Sequence, residues 1–371
     1  MPLDTDSRDW LRFSLVPGVG ARRQLALLRA FGTPAAALAA SPVALADTLP
    51  PSLLDAWCTQ NATVAGVERA LDWLSAPDHF LLALGDADYP PQLLDLPDPP
   101  VVLYLKGRRE LLGHAAVSIV GSRNATVQGV QNAEAFAAAL SHAGLVVVSG
   151  QAAGIDAAAH RGGLAGPGST IAVVGTGLDR VYPASNRTLA HQIAGQGLIV
   201  SEFALGTEPK AGHFPQRNRI IAALSLGTLV VEATLGSGSL ITARQALELG
   251  REIFAIPGSI HAPQARGCHS LIKQGARLVD AAEDILQELD WQARLAPVSA
   301  SRAATTAENG LERGAEEMQV LDAMGFDPVD LDALVARSGL TADALCAILL
   351  GFELSGDVAV LPGGRWQRLG K

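Results

Sequence analysis

The sequence predicts an α/β fold, a doubly wound and mostly parallel sheet set between a helical N-terminal segment and a small C-terminal domain. Three patterns predict it. Residues 114–285 alternate short Val/Ile/Leu-rich runs with helical stretches, as in a parallel sheet buried on both faces. Residues 1–78 show helical periodicity instead. Residues 318–371 hold three helical runs and a closing hairpin signal. At 371 residues the chain is too long for one compact core.

Taken in order, Trp10–Val16 reads as an amphipathic helix stopped by Pro17-Gly18-Val19-Gly20, and Ala21–Phe31 as a second helix ended by Gly32. Two glycines in so short a turn resemble a helix-hairpin-helix or SAM-like module; a tight connection in a small bundle is the plainer reading. Residues 61–75 read as another helix. Phe80–Leu84 and Val101–Leu105 read as edge strands around a Pro/Asp-rich loop. The main strands are then Val117–Val120, Leu145–Ser149, Thr170–Val174, Leu198–Ser201, Thr228–Glu232 and Glu252–Ile256, with helices that include 130–142, 185–195 and 239–249. Residues 291–317, rich in Ala, Ser, Thr, Glu and Arg without periodicity, read as a flexible linker. Helical runs at 318–324, 329–337 and 341–352 precede a hairpin signal at Asp357–Gly364, which together suggest a winged helix. The domains are therefore drawn at 1–78, 79–290, 291–317 and 318–371.

Charge narrows the function. The net charge of −9 argues against a protein that coats duplex DNA indiscriminately. The charge is uneven: residues 1–105 hold 6 Lys/Arg against 12 Asp/Glu, residues 311–371 hold 5 against 10, and residues 106–310 hold 17 against 15. An anion site in the middle of the chain is compatible with acidity at both ends, and the acidic C-terminal segment is expected to dock a partner more readily than DNA. Cys58, Cys268 and Cys346 lack CxxC spacing, so neither a disulfide framework nor a zinc site is expected. The opening MPLDTDSRDW lacks the charge and apolar pattern of a signal peptide, and no uncharged apolar run reaches membrane-spanning length; a cytoplasmic location is expected.

Several turns carry possible chemistry. After the first parallel strand comes Gly121-Ser122-Arg123-Asn124: the glycine permits a sharp turn that leaves amides facing an anion, and Arg123 stands where open α/β sheets bind ligands. A dinucleotide site is disfavoured, since GxGxxG is absent and the second strand ends in Ser149-Gly150 rather than an acid. In Ser149–His160, Asp156 reads as a helix cap, and an Asp156/His160 metal pair lacks a third ligand. The richest stretch is Lys210–Ile221, where Lys210, His213, Arg217, Asn218 and Arg219 crowd around Phe214. Cations neutralise phosphates and an exposed ring stacks on a base, the combination that holds single strands without reading sequence. Cations at a helix start oppose the macrodipole, and an anionic ligand explains the placement. Gly236-Ser237-Gly238-Ser239 opens a helix as a cradle of amides but is not a P-loop, so ATP hydrolysis is not expected. Lys273 and Gln274 follow the last strand, near the same sheet edge. Glu202 and Glu232 end strands on the ligand side and are expected to pair with Arg217 or Arg219, with acid–base work on a nucleotide as the alternative.

The motifs VSIVGSR (117–123), SGQAAGIDAAAH (149–160), TIAVVGTGLDRVYP (170–183), FPQRNRII (214–221), VVEATLGSGSLITARQALELGREIFAIPG (230–258) and LIKQGA (271–276), in this order, resemble the DprA/Smf family of DNA-processing proteins. The resemblance is strong over about 80–285 and looser at the two ends. It implies an extended Rossmann-like domain between a SAM-like start and a winged-helix end, with no catalytic residues, metal or cofactor. It further implies single-stranded DNA bound in a basic pocket, homodimerisation, and loading of a RecA-type recombinase during natural transformation. The implied contacts are Ser122, Arg123, Lys210, Phe214, Arg217, Asn218, Arg219, Gly236, Ser237, Gly238, Ser239, Lys273 and Gln274. The family usually has Arg where Ala153 stands and Asn where His269 stands; loss of the arginine removes one possible phosphate or ion-pair contact. The competing reading is a nucleotide-processing enzyme like the phosphoribohydrolases, whose PGGxGT turn is here Gly236-Ser237-Gly238-Ser239. A pure interaction scaffold leaves the Lys210–Arg219 cluster unexplained.

Overall fold

A computed structural model describes residues 5–59, 61–291, 315–324, 329–354, 358–361 and 365–368. The chain divides into two compact units, Met1–Leu295 and Ala296–Lys371.

Among the described residues the first unit opens with six helices: α1 (Thr5–Ser14), α2 (Ala21–Phe31), α3 (Pro34–Ala39), α4 (Pro42–Leu45), α5 (Pro51–Thr59) and α6 (Asn61–Leu74). Helices α3 to α5 were not foreseen: α3 and α4 are short and Ala/Pro-rich, and α5 is a nine-residue run that buries chiefly Trp57. Local signals still place them: Thr33 and Ser41 accept hydrogen bonds from Ala36 N and Ala44 N, and each is followed by a proline in the first turn. Trp57 fills the middle of the bundle and donates its indole N–H to the Ala37 carbonyl at 3.3 Å.

Nine strands follow: β1 (His79–Ala83), β2 (Val102–Gly107), β3 (Ala116–Val120), β4 (Val146–Ser149), β5 (Thr170–Val173), β6 (Leu198–Ser201), β7 (Gly227–Val230), β8 (Glu252–Ala255) and β9 (Arg277–Leu278). Their order is β1-β2-β6-β5-β4-β3-β7-β8-β9; β1 and β2 are antiparallel and every pairing from β6 to β9 is parallel. The sheet is thus the doubly wound, mostly parallel one that the apolar runs predicted. Alternate residues serve opposite faces: Val117, Ile119, Val147 and Leu229 join one core, and Val146, Val148, Ile171 and Val230 join the other.

Helices cover both faces: α7 (Val127–His142), α8 (Ile155–Leu164), α9 (Arg187–Gln196), α10 (His213–Ala223), α11 (Ser239–Glu248), α12 (Arg266–Lys273) and α13 (Ala282–Glu288). The boundary drawn at 78/79 is bridged by a shared core. Leu11, Phe13 and Trp57 of the helical start belong to the same apolar cluster as Val102, Tyr104 and Ile199 of the sheet. The chain runs outward from β3 to β4, β5 and β6, then returns to β7 on the other side of β3. The loops after β3 and β7 therefore diverge and leave a crevice at the carboxyl ends of the strands, where open α/β sheets bind ligands.

The second unit comprises α14 (Ala315–Met324), β10 (Val329–Asp330), α15 (Leu331–Ser338), α16 (Ala342–Leu354), β11 (Val358–Leu361) and β12 (Arg365–Arg368). Among the described residues, three helices and an antiparallel sheet of order β10-β12-β11 make the winged helix. Asp330 caps α15 by accepting from Ala333 N at 2.7 Å, and Gly339 ends it in the left-handed conformation. Apart from Trp291 and the start of α14, the linker expected over 291–317 lies outside the described residues, as do 357 and 362–364 of the expected hairpin.

Candidate functional site

The crevice is a groove of about 910 Å³. Its walls are the turn after β3 (Gly121–Asn124), the turn after β4 (Ala152, Asp156), Tyr182, the first turns of α10 (Phe214, Arg217, Asn218) and the start of α11 (Ser237, Gly238, Ser239). Several segments far apart in sequence reach one place because parallel strands deliver all their following loops to the same edge.

The turns are locked together tightly. Gly154 holds φ +77°, and a Cβ there would lie 2.3 Å from the Ser122 carbonyl oxygen. Only glycine allows the β4–α8 turn to pack against the β3 turn, where Ile155 N donates to Ser122 O at 3.1 Å. Gln151 also lies in the left-handed region, at φ +60°, which costs about 1–3 kcal/mol for a non-glycine residue. It is held there from both sides: its N–H donates to His160 Nε2 at 3.2 Å, and its carbonyl accepts from Asn186 Nδ2 at 2.9 Å.

Arg123 is exposed, and its guanidinium lies 5.2 Å from the Phe214 ring centre. Tyr182, 44% exposed, faces the same ring at 5.5 Å. Arg123, Phe214, Tyr182 and the Ala152–Ala153 backbone enclose a side recess of about 150 Å³. The groove thus offers a cation at an aromatic face, two rings, and the amide-rich start of α11, where Ser237 and Ser239 hydroxyls bond each other at 2.7 Å.

The other cations of the sequence cluster are placed differently. Arg217 lines the groove but is only 4% exposed, and its Nη1 donates to the carbonyls of Gly150 and Val173. Its Nε donates to Asn218 Oδ1 at 3.0 Å. Burial lowers its pKa to about 10, opposed by the Asp156 carboxylate nearby. A Cβ at Gly150 would sit 2.3 Å from Arg217 Nη2, so that glycine admits the guanidinium. The cation near the start of α10, attributed above to an anionic ligand, is thus answered by backbone carbonyls and a buried acid. Arg219 does not line the groove. Its Nη2 donates to Glu202 Oε2 at 2.5 Å, and its Nε lies 3.6 Å from Asp98 Oδ1.

Glu202 therefore pairs with Arg219 as expected, but Glu232 pairs with neither arginine. It accepts from Thr126 N at 2.9 Å and Thr126 Oγ1 at 2.5 Å, and so supports the cap of α7. Asp156, buried, accepts from Ala152 N at 3.3 Å; desolvation pushes its carboxyl pKa up, and Arg217 opposes the rise. His160 is held neutral, its pKa lowered by burial to about 3. Its Nδ1 meets Thr170 Oγ1 at 2.7 Å, so both ring nitrogens are occupied by protein groups.

Lys210 is exposed at the rim, between Pro209 and Ala211, which do line the groove; Gly236 is exposed beside Ser237. Lys273 and Gln274 are exposed at the far end of α12 and are not brought to the groove; Gln274 bonds Ser270 Oγ at 3.0 Å. The residue before α12 that reaches the groove is Gln264. Gln264 and Tyr182 were missed; an aromatic after a strand-end glycine turn, as in TGLDRVYP, was the available signal for Tyr182. His269 Nε2 lies 3.0 Å from the Gly258 carbonyl oxygen and braces that turn. No group of three or more His, Cys, Asp or Glu suited to a metal occurs among the described residues, and none of their helices is long and apolar enough to cross a membrane.

The family model of the DNA recombination-mediator protein A matches residues 80–290, and that of the DprA winged helix domain matches 302–364. Protein Smf of Escherichia coli is 40% identical over 299 residues, 80% of each chain. The solved DNA processing protein A of Streptococcus pneumoniae superposes with a TM-score of 0.67 at 36% identity, covering 78% of this chain and 99% of that one. The Helicobacter pylori protein, solved for its single-stranded DNA binding mode, superposes with a TM-score of 0.53 at 32% identity, covering 57% and 96%.

Proposed function

The chain belongs to the DprA/Smf family of DNA-processing proteins, and we propose that its groove binds single-stranded DNA without cutting it, for delivery to a RecA-type recombinase. The observation that carries this reading is the convergence of Arg123, Phe214, Tyr182 and the start of α11 on one groove at the point where the strand order reverses. Arg123, Lys210 and the α11 amides suit phosphates; the two rings suit unstacked bases. Single strands expose both at once, whereas a duplex hides its bases. The single-stranded DNA binding of the H. pylori homologue supports the same reading. Recombinase loading and homodimerisation rest on the family resemblance alone.

The test is fluorescence anisotropy of a labelled oligo-dT at several salt concentrations, with wild type and Arg123→Ala. Wild-type affinity is expected to fall with salt, with a log–log slope near −0.7 per phosphate neutralised. Arg123→Ala is expected to bind more weakly with a shallower slope. Equal binding by the two proteins would reject the groove, and no binding by wild type at low salt would reject single-stranded DNA as its ligand.

A further inference from the structure

Helix α10 presents two faces. Phe214, Arg217 and Asn218 line the groove. Arg219, half a turn on, is turned inward between two carboxylates, Glu202 at the end of β6 and Asp98 in the loop before β2. Side-chain exposure is 8% for Arg219, 6% for Glu202 and 22% for Asp98. The trio is incompletely satisfied: Arg219 Nε and Nη1 and Glu202 Oε1 have no hydrogen-bond partner among the described residues. A buried, partly satisfied charge network is sensitive to the loss of one charge, because little else holds its members in place.

Glu202 lines a cavity of about 150 Å³ together with Tyr104, Gln24 and Gln216. Around the trio stand Tyr89, whose Oη donates to Pro100 O at 2.7 Å, and Tyr104 on β2. The exposed Arg22 of α2 lies 3.9 Å from Asp98. On α10 itself, His213 stacks on Phe203 at 4.3 Å with Nδ1 3.2 Å from Gly175 O.

We propose that Arg219 is a positioning residue for the groove: its tie to Glu202 and Asp98 holds α10 so that Phe214 and Asn218 meet the strand, and protonation of Glu202 loosens that tie and weakens binding. The proposal rests on the groove being the strand's site. Burial of Glu202 raises its carboxyl pKa to about 7, opposed by Arg219, so the tie is strongest on the alkaline side of neutrality. The expected sign runs against simple electrostatics, in which acidification adds positive charge and strengthens binding to DNA.

The test measures oligo-dT affinity at constant ionic strength on both sides of the Glu202 midpoint of about 7, for wild type, Glu202→Gln and Arg219→Gln. Wild type is expected to weaken at least about fivefold on acidification, and Glu202→Gln to show no such loss. Arg219→Gln is expected to bind more weakly with an unchanged salt slope, since a positioning residue touches no phosphate. A shallower slope in Arg219→Gln, or the same acid response in wild type and Glu202→Gln, overturns the proposal. Should Arg219→Gln fail to fold, the Glu202→Gln comparison decides alone. Should wild type bind no strand, the groove reading fails separately. Amide exchange in residues 213–223, measured at one pH above 7, then decides: weaker protection in Glu202→Gln than in wild type supports the positioning role, and equal protection in the two proteins overturns it.

Discussion

The cations at the rim of the groove and the cations beneath it look alike in sequence and do opposite work. Arg123 and Lys210 are exposed and leave their donors to the solvent. Arg217 and Arg219 are buried, and each pins backbone or acid from a distant segment. A guanidinium in water offers its donors to whatever arrives, whereas a buried one has already spent them within the fold. Clustering of positive residues therefore marks the neighbourhood of a site without showing which members touch the ligand.

The sharpest way to break this comparison is Arg217→Ala. It would leave the carbonyls of Gly150 and Val173 without their donor and Asp156 without its compensating charge. Removing one partner of a buried ionic arrangement costs about 3–5 kcal/mol. Chemical denaturation should show that loss in the first unit, while Arg123→Ala should stay within about 0.5 kcal/mol of wild type. Equal stabilities for the two variants would mean that Arg217 is not structural.

A second prediction concerns pH. Glu202 has a folded-state pKa of about 7, above its ordinary 4.5, so the folded state holds the proton more tightly than the unfolded state does. The linked stability is fully present below about 4.5 and is lost as pH rises through about 7, amounting to about 3 kcal/mol at most. His160 acts in the opposite sense. Its folded value of about 3 lies below 6.5, so its contribution is present above 6.5 and is lost as pH falls towards 3. Between pH 7 and 6.5, wild type should therefore gain stability on acidification, and Glu202→Gln should not. Parallel pH–stability curves for the two proteins would remove Glu202 from the account.

Much of the fold was legible because strands β3 to β7 are short, rich in Val, Ile and Leu and buried along their whole length, a pattern that leaves no solvent face. β9 was not legible: both of its residues, Arg277 and Leu278, are exposed, and its pairing to β8 is through the backbone alone. The helices between residues 34 and 59 were hidden because they are short and burial is contributed by a few side chains such as Leu45 and Trp57. Around the groove, the turns Gly121-Ser122-Arg123 and Ser237-Gly238-Ser239 were legible since turns announce themselves by composition. The burial of Arg217 was not, because it depends on which carbonyls lie opposite, and Gly150 and Val173 are 67 and 44 residues away in sequence.

The smallest effect separates the two rim cations. Lys210 stands on the loop leading to α10, exposed, between two residues that line the groove. Lysine is a point charge on a flexible stem, and fixing it on a phosphate costs rotamer entropy that a preorganised group does not lose. Arg123 is already held at the Phe214 ring, 5.2 Å from its centre. Lys210→Ala should therefore leave stability within about 0.5 kcal/mol. It should reduce the salt slope by about 0.7, the share of one phosphate. Its loss of affinity at moderate salt should be smaller than that of Arg123→Ala. Titration of the two variants and the double variant settles the ranking. Equal losses would place both cations in the same role, and a slope unchanged by Lys210→Ala would move the path of the strand away from this side of the rim.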